Sequence, residues 1–198
     1  MESADDSNNM LSIYDLCRQG SRVLGPGLRY IVWTQGCPFH CEGCISPNSR
    51  PMTTDKLVCI TDLANDILSH THIEGLTISG GEPFLQAAVL TRLLEIVHND
   101  RPDLSVILYT GYTMEALSWP EAQMLIGQLD LLIDGPYVKS LNDDKGVRGS
   151  SNQRLHFLSP RLLPWRDELE NGQRKVEFHL NDDRFVAYGV PTKDMHLK

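Results

Sequence analysis

The chain has 198 residues, 41% of them hydrophobic and 22% charged, which is ordinary for a soluble globular protein with one real core. A formal net charge of −8 and the lack of any Lys/Arg run speak against nucleic-acid binding. No apolar stretch approaches the roughly 20 residues of a membrane helix, so no membrane role is expected. The first ten residues are polar and acidic, lack the basic start and apolar run of a secretion signal, and read as a frayed tail.

In chain order, Gly27 to Gln35 is apolar and β-branched in its middle and predicts a strand, which runs directly into a cysteine-rich loop. Thr61 to His70 predicts a helix with Leu63, Ile67 and Leu68 on one face. Gly75 to Ser79 is a short buried strand ending in Gly80-Gly81-Glu82-Pro83. Pro83 suits the first turn of a helix running to Asn99. Leu104 to Thr110 is a third buried strand, closed by Gly111. Met114 to Leu129 predicts a helix interrupted near Trp119-Pro120, and Leu129 to Asp134 a fourth strand, stopped by Gly135-Pro136. Arg154 to Leu158 adds a short strand, Glu168 to Arg174 reads as a linker, and Lys175 to Leu180 with Arg184 to Val190 form a β-hairpin around Asn181-Asp182-Asp183.

Strands alternating with helices predict an α/β fold with a parallel sheet, open or closed into a partial βα barrel. Functional residues in such sheets lie at the carboxyl ends of the strands. Each predicted strand ends in an unusual sequence: the cysteines, Ser79-Gly80-Gly81-Glu82-Pro83, Tyr109-Thr110-Gly111-Tyr112 and Asp134-Gly135-Pro136-Tyr137. All four meet on one face. The division expected is a polar tail and lead-in over 1–20, a core over 21–158, and an extension with the hairpin over 159–198.

The sharpest signal is Cys37-Pro38-Phe39-His40-Cys41-Glu42-Gly43-Cys44, three thiols spaced C-x3-C-x2-C on one loop. Three thiolates this close hold three corners of a [4Fe–4S] cube and leave the fourth iron free for a substrate or cofactor. A zinc knuckle is the plainer alternative, but zinc asks for a fourth Cys or His, and no second cysteine pair exists. His40 and Phe39 cover the cluster and limit solvent access. Cys17 and Cys59 stand alone as small buried hydrophobes, and reduced thiols with a metal site imply a cytoplasmic protein. Two glycines at 80 and 81 let the backbone approach a ligand closely.

On the cysteine triad and Gly80-Gly81-Glu82-Pro83, the chain resembles the radical S-adenosylmethionine superfamily from about Gly25 to Phe157. Gly25-Pro26-Gly27-Leu28-Arg29, the strand-end motifs and Arg148-Gly149-Ser150-Ser151-Asn152-Gln153 occur in the order found in the activating enzymes of anaerobic ribonucleotide reductase and other glycyl-radical enzymes. The resemblance implies one [4Fe–4S] cluster on Cys37, Cys41 and Cys44 whose open iron binds S-adenosylmethionine. It implies reductive cleavage of that cofactor to a 5′-deoxyadenosyl radical, which takes a hydrogen from a backbone glycine of a partner enzyme. It places Ser79, Gly80, Gly81, Glu82, Thr110, Gly111, Asp134, Arg148, Ser150 and Asn152 around S-adenosylmethionine, with no catalytic group beyond the ligands of the two cofactors. A flavodoxin or ferredoxin supplies the electron. Some related activases carry Lys two positions after the residue matching Asp134; here Pro136 stands there. Arg29 has either a substrate- or cofactor-side role or a place beside a turn. The alternative function is a stand-alone single-cluster enzyme of the same fold acting on a small molecule or a peptide.

Overall fold

The computed structural model describes residues 9–181, 184–193 and 195. Nine strands and four α-helices follow one another as β1 (Met10–Ser21), β2 (Arg29–Thr34), β3 (Leu57–Cys59), α1 (Ile60–Ser69), β4 (Gly75–Gly80), α2 (Ala87–Asp100), β5 (Ser105–Tyr109), α3 (Pro120–Ile126), β6 (Leu131–Asp134), β7 (Arg154–Phe157), α4 (Arg166–Asn171), β8 (Val176–Asn181) and β9 (Arg184–Gly189). Seven strands form one open sheet in the order β3-β1-β2-β4-β5-β6-β7. Its centre, β2-β4-β5-β6, is parallel. The flanking β1, β3 and β7 are antiparallel. β8 and β9 pair separately as the predicted hairpin; Asp182 and Asp183 of its expected turn lie outside the described residues, as does most of the expected N-terminal tail.

The two faces of the sheet follow from period-2 alternation along each strand. On one face Val32, Ile78, Leu108 and Leu132 pack beneath Leu63 and Ile67 of α1, Leu90 and Leu94 of α2 and Leu125 of α3. On the other, Ile107, Leu131 and Ile133 meet Leu162 and Leu169. There too, Ile31 meets Tyr188 of β9, which stacks on Trp33 at 5.3 Å. Both faces are therefore buried, which is why β5 and β6 read as continuous apolar runs rather than alternating ones.

Residues 10–20, expected as lead-in, build β1, a strand inside the sheet. Register breaks between Ile13 and Asp15 and between Cys17 and Ser21 disrupt its alternation, so the sequence carries no strand pattern there. The expected linker over Glu168 to Arg174 contains the end of α4.

Arg29 lies at the amino end of β2, opposite the strand ends that carry the motifs, so it has no substrate- or cofactor-side role. It is fully buried, and all five of its N–H groups are used: Nε donates to Thr77 Oγ1, Nη1 to the Pro26 carbonyl and Ser105 Oγ, and Nη2 to the carbonyls of Leu76 and Ser105. Burial lowers its pKa to about 10. Gly75 is required there because a Cβ would strike the guanidinium, and Gly25, at φ +134°, leaves room for the Arg29 stem. Replacing Arg29 by Met leaves these acceptors unpaired in the core. Urea unfolding of Arg29→Met is expected to show a loss of about 3 kcal/mol or more, and an unchanged midpoint would refute the structural role.

Candidate functional site

The loop after β2 is built by backbone contacts at three neighbouring strand ends. Gly36, at φ +93°, donates its N–H to the Ser49 carbonyl (2.8 Å), and Cys37 donates to Arg50 (3.0 Å). Gly81 N–H donates to the Thr34 carbonyl (2.8 Å) and Glu82 N–H to the Gly36 carbonyl (2.7 Å). A Cβ at Gly80 would overlap the Thr34 backbone, and one at Gly81 would overlap the Gly36 carbonyl. The two glycines thus let one loop lie directly on another, a need the sequence alone attributes to a ligand. At the end of β5, a Cβ on Gly111 would sit 2.6 Å from the Phe39 ring, which also meets Tyr112 edge-on at 5.0 Å. Phe39 therefore fastens the cysteine loop to β5. Beyond β6, Tyr137 and Lys139 lie against Gly43.

Cys37, Cys41 and Cys44 are free and half-buried on this clasped loop. Burial raises the Cys37 pKa against a hydrogen bond with the Phe39 backbone, and Glu82, Cys44 and Cys41 raise it further. Among the described residues no group of three or more His, Cys, Asp or Glu side chains is gathered for a single metal ion. Three thiols on one loop fit three of the four irons of a cube.

Glu82 is 1% exposed. Its Oε1 accepts from Phe84 N–H (3.0 Å) and Thr110 Oγ1 (2.8 Å), and its Oε2 from Gly111 N–H (2.7 Å). Burial pushes its pKa up to about 7 against those donors. The carboxylate is turned into the protein and joins β4 to β5, while Ser79, Gly80 and Gly81 form the half-exposed rim.

A second group of predicted residues gathers at the end of β6. Asp134 is fully buried and accepts from Met114 N–H (2.6 Å) and from Nε and Nη2 of Arg154, with His156 Nε2 at 3.0 Å. Burial raises its pKa, but Arg154, the Met114 amide and His156 together hold it below the usual carboxylate range. Ser150 Oγ accepts from Val138 N–H (3.1 Å), and Asn152 Nδ2 donates to the Pro136 carbonyl (2.8 Å). Asn152 Oδ1 is buried with no partner, an acceptor left for the N–H or O–H of a bound molecule. The Arg148 guanidinium pairs with Asp143 at 2.8 Å, and its carbonyl accepts from Arg174. The two groups are linked through Gly135 N–H donating to the Tyr112 carbonyl (2.7 Å).

Sequence reasoning missed Arg154. Its guanidinium is 45% exposed, held by Asp134 and by both carboxylate oxygens of Glu115, and is the cation of this strand end. Only the antiparallel register that sets Arg154 opposite Asp134 reveals it.

Comparison with known proteins matches residues 23–156 to the family described as "4Fe-4S single cluster domain". The chain is 34% identical over 147 residues to the anaerobic ribonucleoside-triphosphate reductase-activating protein of Enterobacteria phage T4, covering 72% of this chain and 92% of that one. It is 32% identical over 148 residues to the protein of the same name from Salmonella typhi, at 69% and 92% coverage. It is 28% identical over 144 residues to the pyruvate formate-lyase-activating enzyme of Staphylococcus aureus, covering 69% of this chain and 57% of that enzyme.

Two outcomes test the geometry. Gly81→Ala forces two backbones apart, and the reconstituted variant is expected to hold well under half the iron of the wild type; equal iron content would refute the clasp. Asp134→Asn removes the anion facing Arg154 and is expected to cost about 1–2 kcal/mol at neutral pH, since Arg154 is partly solvated. Because the folded-state pKa of Asp134 is depressed, its contribution is present above the unfolded value and is lost as pH falls below about 4. Stability curves of wild type and variant should therefore converge in acid.

Proposed function

The chain belongs to the 4Fe-4S single cluster domain family and to the anaerobic ribonucleoside-triphosphate reductase-activating proteins, and from that premise we propose that it installs a glycyl radical in a partner reductase. The observation that carries this reading is the clasped loop: three free thiols held by the ends of the following strands, with a half-exposed rim beside them. A [4Fe–4S] cluster would be held by Cys37, Cys41 and Cys44 and would supply the one-electron reduction of S-adenosylmethionine from which hydrogen abstraction at a glycine of the partner would start.

The chain's own residues have separable tasks in this proposal. Cys37, Cys41 and Cys44 each ligate one iron. The backbone of Ser79, Gly80 and Gly81 would hold the methionine amino group, and Glu82 keeps Thr110 and Gly111 in place at that rim, a role its three accepted hydrogen bonds support. Asp134 fixes Arg154, which offers a carboxylate the cation that Pro136 does not. Ser150 and Asn152 hold the rim over the end of β6. Phe39 keeps water from the cysteines by packing on Gly111.

A flavodoxin or ferredoxin is the proposed electron donor. Five free cysteines support a reducing, cytoplasmic setting. The charge of −8 supports a protein partner over nucleic acid. No helix among the described residues is long and apolar enough to cross a membrane. We take 21–158 as the core and 159–198 as an extension, in line with the matched stretch. The second reading, an enzyme acting on a small molecule or peptide, draws on that extension, which covers the inner face of the sheet.

Wild-type protein reconstituted anaerobically, then given S-adenosylmethionine and a strong reductant, is expected to form 5′-deoxyadenosine by mass spectrometry. A glycyl-radical signal should appear in the reductase by electron paramagnetic resonance. Cys41→Ala should lose both with its fold retained by circular dichroism; an active variant refutes the ligand assignment. Product without any reductase radical would favour the second reading.

A further inference from the structure

Residues beyond Ser159 lie outside the stretch that defines the family, yet they hold one of the site's own loops. Arg174 stands between α4 and β8 with its side chain 1% exposed. Nη1 donates to Asn142 Oδ1 (2.7 Å) and the Pro191 carbonyl (3.1 Å). Nη2 donates to the carbonyls of Arg148 (2.5 Å) and Gly149 (3.1 Å). Asp144 and Asp143 lie at 3.5 and 3.9 Å. A buried guanidinium is costly unless its donors are used; here Nη1 and Nη2 make four hydrogen bonds, and Nε has no partner among the described residues. Its planar fork can serve several carbonyls at once, which an ammonium cannot.

The carbonyls of Arg148 and Gly149 belong to a loop whose one β-bridge, Lys145 to Gln173, also runs to the extension. From them the contacts run without a break to the end of β6. Gly149 N–H and Ser150 N–H donate to Gln153 Oε1 (2.8 and 3.2 Å), and Gln153 Nε2 donates to the Gly135 carbonyl (2.8 Å). Gly135 follows Asp134, and Asn152, whose Oδ1 has no partner, lies on the same stretch. The loop also rests on the extension by its backbone, Gly146 N–H donating to Gly172 (2.7 Å) and Val147 N–H to Leu169 (3.0 Å).

We infer that Arg174 is a positioning residue for S-adenosylmethionine, acting from the extension through the loop Asn142–Gln153 on the rim at the end of β6. The inference rests on the proposed function for the identity of the bound molecule, and on the contacts above for the coupling. The extension is then a required support of the cofactor site in this chain, and not a separate module.

The test uses full-length protein reconstituted with iron and sulfide, with three readouts: hydrogen exchange of residues 142–153, S-adenosylmethionine affinity by equilibrium dialysis, and iron content. Arg174→Met should exchange faster over 142–153 with β4 and β5 unchanged. Its Kd should rise about tenfold, equivalent to about 1.4 kcal/mol of lost positioning at the rim, with iron content at the wild-type level. Arg174→Lys keeps a charge opposite Asp143 and Asp144 and should recover part of the affinity. Should Arg174→Met not fold, Asn142→Ala removes a single acceptor and should raise Kd with iron content intact. Wild-type exchange and Kd in both Arg174→Met and Asn142→Ala overturn the inference, as does a parallel fall of iron and affinity, the mark of general unfolding. If the wild type binds no S-adenosylmethionine, the proposed function fails and the cofactor role falls with it, while the exchange data still decide whether Arg174 holds the loop.

Discussion

One buried carboxylate joins the strand ends on which the site is built. Glu82 leaves β4, gives its N–H to the loop after β2, and spends both oxygens on Phe84, Thr110 and Gly111. A carboxylate in that position is expensive to bury, and its pKa near 7 records the expense. The expense is tolerable because three donors converge on it, two of them backbone amides with no ladder partner. Through Glu82, the cysteine loop, the Gly80-Gly81 turn and the end of β5 are joined at one carboxylate and its amide. Phe39 on Gly111 then closes the contact from the other side.

The opposite end of the sheet is organised by a buried cation. Arg29 donates to five acceptors on β4, β5 and the turn before β2, none of them a carboxylate. The parallel sheet is thus pinned at both ends by one charged side chain, while its middle is apolar on both faces. Rigid strands between two pins are what a site needs if loops after different strands are to keep fixed distances.

The extension completes the inner face. Leu162 and Leu169 cover Ile107, Leu131 and Ile133, and Tyr188 stacks on Trp33. Without these contacts that apolar face would lie open to water. Arg174 adds a polar hold on the loop after β6 to the apolar cover. Fold and site therefore share residues in this part of the chain, and a change in the hairpin region reaches the rim without touching it.

Apart from β3, which the sequence did not signal, the order of strands and helices in the core, the parallel sheet and the cysteine triad were legible in the sequence, because each rests on local information. Apolar runs bounded by glycine and proline mark strands, period 3.6 marks helices, and C-x3-C-x2-C places three thiols on one loop whatever the fold. β1 was not legible, since its bulges erase the alternation that betrays a strand. The reason for Gly80 and Gly81 was not legible either: the sequence shows that something comes close, and only packing shows it is the backbone of Thr34 and Gly36. Glu82 turning inward, Arg148 pairing with Asp143, Arg154 meeting Asp134 across a β-ladder, and Arg174 reaching back to the loop at Arg148 all depend on which segments are neighbours in space. By itself the sequence determined which chemical groups this protein possesses and on which loops they ride. The tertiary structure alone decided which of those groups face the rim and which hold it together, because side-chain direction is set by burial and by partners distant along the chain.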